Sequence, residues 1–304
     1  MIAMPFMLVV AFLFIGIVSR TKSLLGGRQG PGLLQHVRDG IRLFKKGAVI
    51  STTTSVVFRL APTISFVTIL LACTLVPFGA SPALFSFSFD VVAFAYLLAL
   101  GRFVMILAAL DTGSPFEGMG ANREAIYGML VEPAFFVLFG SLAILTGHTS
   151  FTTLFSALHL GMGGVSILIS AFAVYVILQI AMVESSRLPV DDPKTHLELT
   201  MIHEVMILDH SGFDLGLIMV TSSMKFALFG LLLANFHLPP NVPLWMQIGI
   251  ALAVNIIFAC TVGVLESFRA RNRMKRNPQF ILTLTSVAVL IYFSVLILTN
   301  KLVL

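Results

Sequence analysis

The sequence predicts an all-α integral membrane protein, with about eight transmembrane helices, one amphipathic surface helix and structured loops gathered at one membrane face. Three observations carry that reading. Hydrophobic residues make up 58% of the 304 and charged residues 11%, with a mean hydropathy of +1.00, whereas a soluble globular chain carries about 25% charge. The apolar residues come in runs long enough to cross a bilayer, which takes about 20 residues of helix. Lysine and arginine fall in alternate loops, as they do on the cytoplasmic side of multi-pass proteins. A soluble domain is excluded. The net charge of +5 is a topology signal that needs no nucleic acid to explain it.

In order, the spans fall at 2–18, 58–78, 89–110, 129–147, 162–183, 214–234, 244–265 and 280–299, within a single membrane domain covering 1–304. The run from Ile2 to Val18 lacks a basic lead-in and a small-residue cleavage site, so it reads as a span and not as a signal peptide. Loops 79–88, 148–161 and 235–243 contain no Lys or Arg, which places them and both termini on the outer face.

The first cytoplasmic loop, 19–57, contains GGRQGPGLLQHVRDGIRLFKKG. Leu33, Leu34, Val37, Ile41 and Phe44 recur at helical spacing between Arg38, Asp39, Arg42, Lys45 and Lys46, which describes an amphipathic helix. It would lie on the lipid surface, dock a soluble partner, or do both. The second, 111–128, reads DTGSPFEGMGANREAIYG and predicts a tight turn that offers Glu117, Arg123 and Glu124 to neighbouring loops or a partner. Its GMG follows no strand and completes no GxGxxG, so a nucleotide site is discarded.

The third, 184–213, runs on into the next span as ESSRLPVDDPKTHLELTMIHEVMILDHSGFD. Glu184, Asp191, Asp192, Glu198, Glu204, Asp209 and Asp214 are half of the chain's 14 acidic residues, yet the stretch is also apolar. It belongs inside protein, much of it contributed by another subunit. Asp192–Pro193 is a good helix start. On the helix that would follow, Glu198 and Asp209 share a face and His196, His203 and His210 form a stripe at a subunit contact. His203–Glu204 begins a zinc-protease HExxH, but position 207 is Ile, so no metal is expected. Cys73 and Cys260, far apart, hold no iron–sulfur cluster.

Charges inside apolar spans are costly and mark ion paths or structural pairs. Arg102, a candidate intramembrane pair, and Glu132 lie within spans, Glu184 and Glu266 close two others, and Lys225 sits mid-span. Lys225 calls for a buried carboxylate partner. For Glu132 a proton path and snorkelling to the interface both stay open.

The three loop motifs, GGRQGPGLLQHVRDGIRLFKK, LDTGSPFEGMGANREAIYGMLVEP and ESSRLPVDDPKTHLELTMIHEVMILDHSG, resemble the membrane subunit shared by respiratory complex I and the energy-converting nickel–iron hydrogenases, including formate-hydrogenlyase-type complexes. The resemblance implies a subunit of the prokaryotic plasma membrane without a cofactor of its own. It would join hydrogenase-like large and small subunits and an iron–sulfur protein, which carry the nickel–iron centre and the clusters, to antiporter-like membrane subunits. By position, it implies coupling carboxylates at Glu184, Glu198, Glu204, Asp209 and Asp214, and a partner surface at Arg28, Arg38, Asp39, Arg123 and Glu124. Where complex I has Pro-Phe-Asp and then Glu-Tyr-Ser-Gly, this chain has Pro189–Val190–Asp191–Asp192 and Asp209–His210–Ser211–Gly212, and so is more similar to the hydrogenase branch. The alternative is a quinone-binding complex I subunit. A stand-alone secondary transporter is more remote, because the halves show no repeat.

Overall fold

The structure, a computed structural model, describes residues 3–160, 164–192, 201–239 and 242–299, without the side chains of 159–160 and 164–166. In chain order its helices are α1 (Ala3–Leu25), α2 (Gln35–Phe44), α3 (Val56–Leu75), α4 (Asp90–Asp111), α5 (Pro115–Thr146), α6 (Phe151–Leu160), α7 (Gly164–Glu184), α8 (His203–Met206), α9 (Gly212–Asn235), α10 (Leu244–Phe268) and α11 (Asn277–Leu298). Among the described residues eight helices are long and apolar enough to cross a membrane, and each coincides with a run read from the sequence. The protein is an all-α, multi-pass membrane protein.

In lipid, helices gain nothing by hiding apolar surface from water, so close packing must hold the bundle together. α9 is the most enclosed span and contacts α1, α3, α7 and α10. Phe226, Phe229, Leu231 and Leu232 of α9 are fully buried, and Phe226 stacks on Phe14 of α1 at 4.8 Å. Its Gly230 lies where a Cβ would collide with the Asn255 side chain of α10. The outer helices, α10 and α11, leave most of their surface for lipid or neighbours.

The two ends of the bundle differ as the charge pattern predicts. At one end the loop after α2 touches the loop before α9, where the Ser211 hydroxyl donates to Val49 O (3.1 Å). There too, Asn272 N–H donates to Pro189 O (3.0 Å), tying the loop after α10 to the loop after α7. All the basic loops meet here. At the other end Gly79 N–H donates to Asn235 Oδ1 (3.1 Å) and Ala80 N–H to Gln247 Oε1 (3.3 Å).

Two segments differ from the sequence reading. Most of the expected turn across 111–128 is instead the start of a long helix, which begins at Pro115 because Ser114 and Pro115 supply an extended residue and a proline at the first helical position. α5 runs on to Gly147, whose left-handed backbone (φ 76°) stops it. The loop 148–161, expected on the outer face, contains α6. Its start is organised by Asp90, the buried first residue of α4, which accepts from Ser150 Oγ (2.7 Å) and Phe151 N–H (2.8 Å).

Candidate functional site

The buried charges of four helices converge inside the basic half of the bundle. Arg102 projects from α4 and is 7% exposed. Its guanidinium pairs with Glu184, the last residue of α7, and lies 3.6 Å from Glu132 of α5. The second oxygen of Glu184 is buried without a hydrogen-bond partner. Glu132, with a side chain 38% exposed, lies at the lateral surface of the bundle.

Lys225 of α9 and Glu124 of α5 share a cavity of about 30 Å³ with Arg102, Glu184, Ser185 and His203. The sequence called for a carboxylate in contact with Lys225. Instead, among the described residues none lies within ion-pair distance of it, and Glu124 and Glu184 face it across a space large enough for water. This cavity shares Ser185, Ser186, His203, Ile218 and Ser222 with a larger one of about 300 Å³. The larger cavity opens between α1, α2 and α9. It is apolar along Ile15, Leu43, Leu215 and Met219 and polar at His36, Arg187, Asp191 and Glu204. A series of adjoining cavities and ionisable groups therefore runs from beneath α2 to Glu132, with the Arg102–Glu184 pair standing between the last two cavities.

The acidic loop after α7 lines this route and is fastened by its own chain. Asp191, 2% exposed, accepts from Asp192 N–H (2.9 Å), His203 N–H (3.0 Å) and Arg271 Nη2 (2.9 Å). Burial still pushes its carboxyl pKa up against those partners. Arg123 Nη1 donates to Met201 O (2.9 Å), and Asp209 N–H donates to Glu117 Oε1 (3.2 Å). The His210 ring stacks on Phe58 at 4.0 Å. Burial lowers the His210 pKa to about 4. His203 is held at about 4 by burial and by Lys225. His36, whose Nε2 is 2.7 Å from Ser223 Oγ, is held at about 4 by burial and then by Arg187. All three are neutral imidazoles at pH 7.

The expected residues thus separate. Arg102, Glu132, Glu184 and Lys225 come together, and Glu204 lines the large cavity. Arg123, Glu124, Asp191 and His203 were expected on a partner surface. In the structure they contact or face their own chain, because the long α5 carries Arg123 and Glu124 against the acidic loop. Asp192 packs beside Asp191, Asp209 is exposed and Asp214 stands in the first turn of α9. Arg28 and Arg38 are exposed, and Asp39 is bound by Gln35 (2.8 Å) and Arg42 (3.5 Å) on α2. His196 and Glu198 lie outside the described residues. The single helix expected to carry three histidines is, among the described residues, only the one turn of α8, with His203 and His210 in separate settings. Sequence reasoning missed His36, Asp90 and the glycines that admit these contacts. None of them stands out from its neighbours in composition or spacing.

The fold and site define a polytopic membrane protein built around a buried, cavity-connected charge cluster. The sequence matches the NADH dehydrogenase family over residues 1–297, and the chain belongs to that family. It is 32% identical to hydrogenase-4 component C of Escherichia coli K12 over 75% of this chain and 70% of that one. It is 30% identical to formate hydrogenlyase subunit 4 of the same organism over 89% of each. It is 24% identical to an NADH-quinone oxidoreductase subunit of Rickettsia canadensis over 99% of this chain and 93% of the other. A chain in the structure of the membrane-bound sulfane sulfur reductase, an archaeal respiratory membrane complex, superposes with a TM-score of 0.83 over 96% of both chains at 17% identity. That likeness establishes the fold.

Proposed function

We propose that the chain is the membrane subunit of a redox-driven ion pump of the energy-converting hydrogenase or formate hydrogenlyase type. It docks a soluble electron-transfer arm at the basic end and couples that arm to proton or sodium movement. The single observation that carries this reading is the route from the cavity under α2, past Lys225, Glu124 and the Arg102–Glu184 pair, to half-exposed Glu132. Ionisable groups that costly inside a membrane protein are retained where charge must move. Relatives at 30% identity or above named for hydrogenase-4 and formate hydrogenlyase support the hydrogenase branch.

In this reading the basic end faces the cytoplasm of a prokaryotic plasma membrane and both termini face outward. Hydrogenase-like large and small subunits and an iron–sulfur protein cover α2 and the acidic loop, bringing the nickel–iron centre and clusters. Antiporter-like membrane subunits adjoin Glu132. Charge arriving in the partner shifts the acidic loop, the field at His203 and Asp191 changes, and protons redistribute along the route.

A second reading, a quinone-reducing subunit, is favoured by the cavity of about 300 Å³, whose apolar wall and His36, Arg187 and Asp191 suit an amphipathic ring. Purifying the intact complex and identifying its subunits separates the two. A large subunit with four metal-binding cysteines is expected. A quinone-linked NADH arm, with turnover blocked by quinone-site inhibitors, would contradict the hydrogenase reading.

A further inference from the structure

The Arg102–Glu184 pair is the common wall of three cavities. One holds Lys225 and Glu124, one of about 10 Å³ lies beside Gly128 and Asp191, and one of about 20 Å³ reaches Glu132. The route is therefore interrupted at this pair. The guanidinium occupies the break because residue 128 has no side chain. A Cβ there would fall on a terminal nitrogen of Arg102 and within 2.7 Å of its central carbon and 2.9 Å of Cδ. Backbone dihedrals do not require this glycine, which lies in the middle of α5. The room it makes for Arg102 is its evident use.

Resting on the coupling role proposed above, we infer that Arg102, seated on Gly128, is a cationic gate between the inner cavities and the lateral exit at Glu132. Gly128 is its positioning residue. A guanidinium does not give up its proton in a protein, so it repels protons and cannot relay them. A proton crosses only on Glu184. When Glu184 takes one from the Lys225 cavity its negative charge is lost, and Arg102 turns to the other carboxylate within its ion-pair reach, Glu132. The approaching cation favours loss of any proton Glu132 carries to the neighbouring subunit. When Arg102 returns, Glu184 gives its proton to Glu132. One proton enters at Glu184 for each that leaves Glu132.

The test uses the purified complex in liposomes, comparing wild type with Gly128→Ala and Arg102→Gln. The readouts are decay of an imposed pH gradient without donor, protons moved per electron from reduced methyl viologen, and the infrared carbonyl band of protonated carboxyl groups. The gate predicts that both variants leak severalfold faster, move fewer protons per electron, and gain a carboxylic-acid band that an added Glu184→Gln removes. Arg102→Lys, which keeps the charge without the two-pronged contact, replaces either variant that does not assemble and is expected to leak to an intermediate degree. Wild-type leak and proton ratio in the assembled variants overturn the gate. If Glu184→Gln and Glu132→Gln abolish pumping at the same time, the coupling role stands without the gate. If those two also pump normally, both ideas fall.

Discussion

Glu266 and Glu184 each close a membrane helix at the same end of the bundle, and both are buried against arginine, yet they are finished differently. Glu266 gives one oxygen to Lys22 (2.8 Å) and the other to Arg187 (3.3 Å), and its side chain is fully enclosed. Arg187 also lies over the Phe226 ring at 4.9 Å. None of the cavities along the route touches Glu266. Glu184 spends one oxygen on an arginine shared with Glu132, leaves the other unpartnered, and borders three cavities. A carboxylate with both oxygens committed and no room around it is a rivet between α1, α10 and the acidic loop. One that is half-satisfied, with a competitor for its cation and space for water, is built as the relay proposed above requires.

The contrast breaks most visibly on stability. Glu266→Leu strands two cations in the protein interior and is expected to cost about 3–5 kcal/mol, seen as a large fall in assembled complex and in its thermal midpoint. Glu184→Gln keeps an acceptor for Arg102, which still has Glu132, and should cost about 1–3 kcal/mol. Thermal denaturation of both purified variants orders them, and the reverse order would refute the distinction between rivet and relay. At the opposite end Asp90→Asn retains one of two acceptors for the start of α6 and should lose about 1 kcal/mol, with pumping unchanged. The smallest effect at neutral pH belongs to His210→Phe. The folded pKa of His210, about 4, lies below the ordinary 6.5. Its burial therefore stabilises the fold fully above about 6.5, and that contribution is lost as pH falls toward 4. The variant should match wild type at pH 8 and hold its thermal midpoint better at pH 5. Equal pH dependence in both proteins would remove His210 from the account.

The eight spans were legible because bilayer thickness imposes run length, and α2 was legible because Leu34, Val37, Ile41 and Phe44 keep helical spacing. The start of α5 was not. Gly118 and Gly120 read as turn residues, but the bare face of Gly120 is where Ile202 O approaches to 2.8 Å of an added Cβ, a contact made by a segment over 80 residues away in sequence. Lys225 announced a buried site through the cost of its charge, whereas the identity of its neighbours, Glu124 and His203, depended on α5 extending further than its apolar run. Asp90 is one acid at the head of a span, and nothing in its surroundings tells that it organises the start of α6. Composition records which groups are expensive to bury. It is silent on which distant backbone comes close enough to house them.

The comparison is sharpest when both carboxylates are changed alike and only ion movement is read. Glu184→Gln and Glu266→Gln complexes, reconstituted in liposomes and driven by reduced methyl viologen, should both evolve hydrogen, and protons moved per electron are then counted in each. The account predicts that the ratio falls to near zero for Glu184→Gln and stays at the wild-type value in assembled Glu266→Gln complex. A wild-type ratio in Glu184→Gln would contradict it.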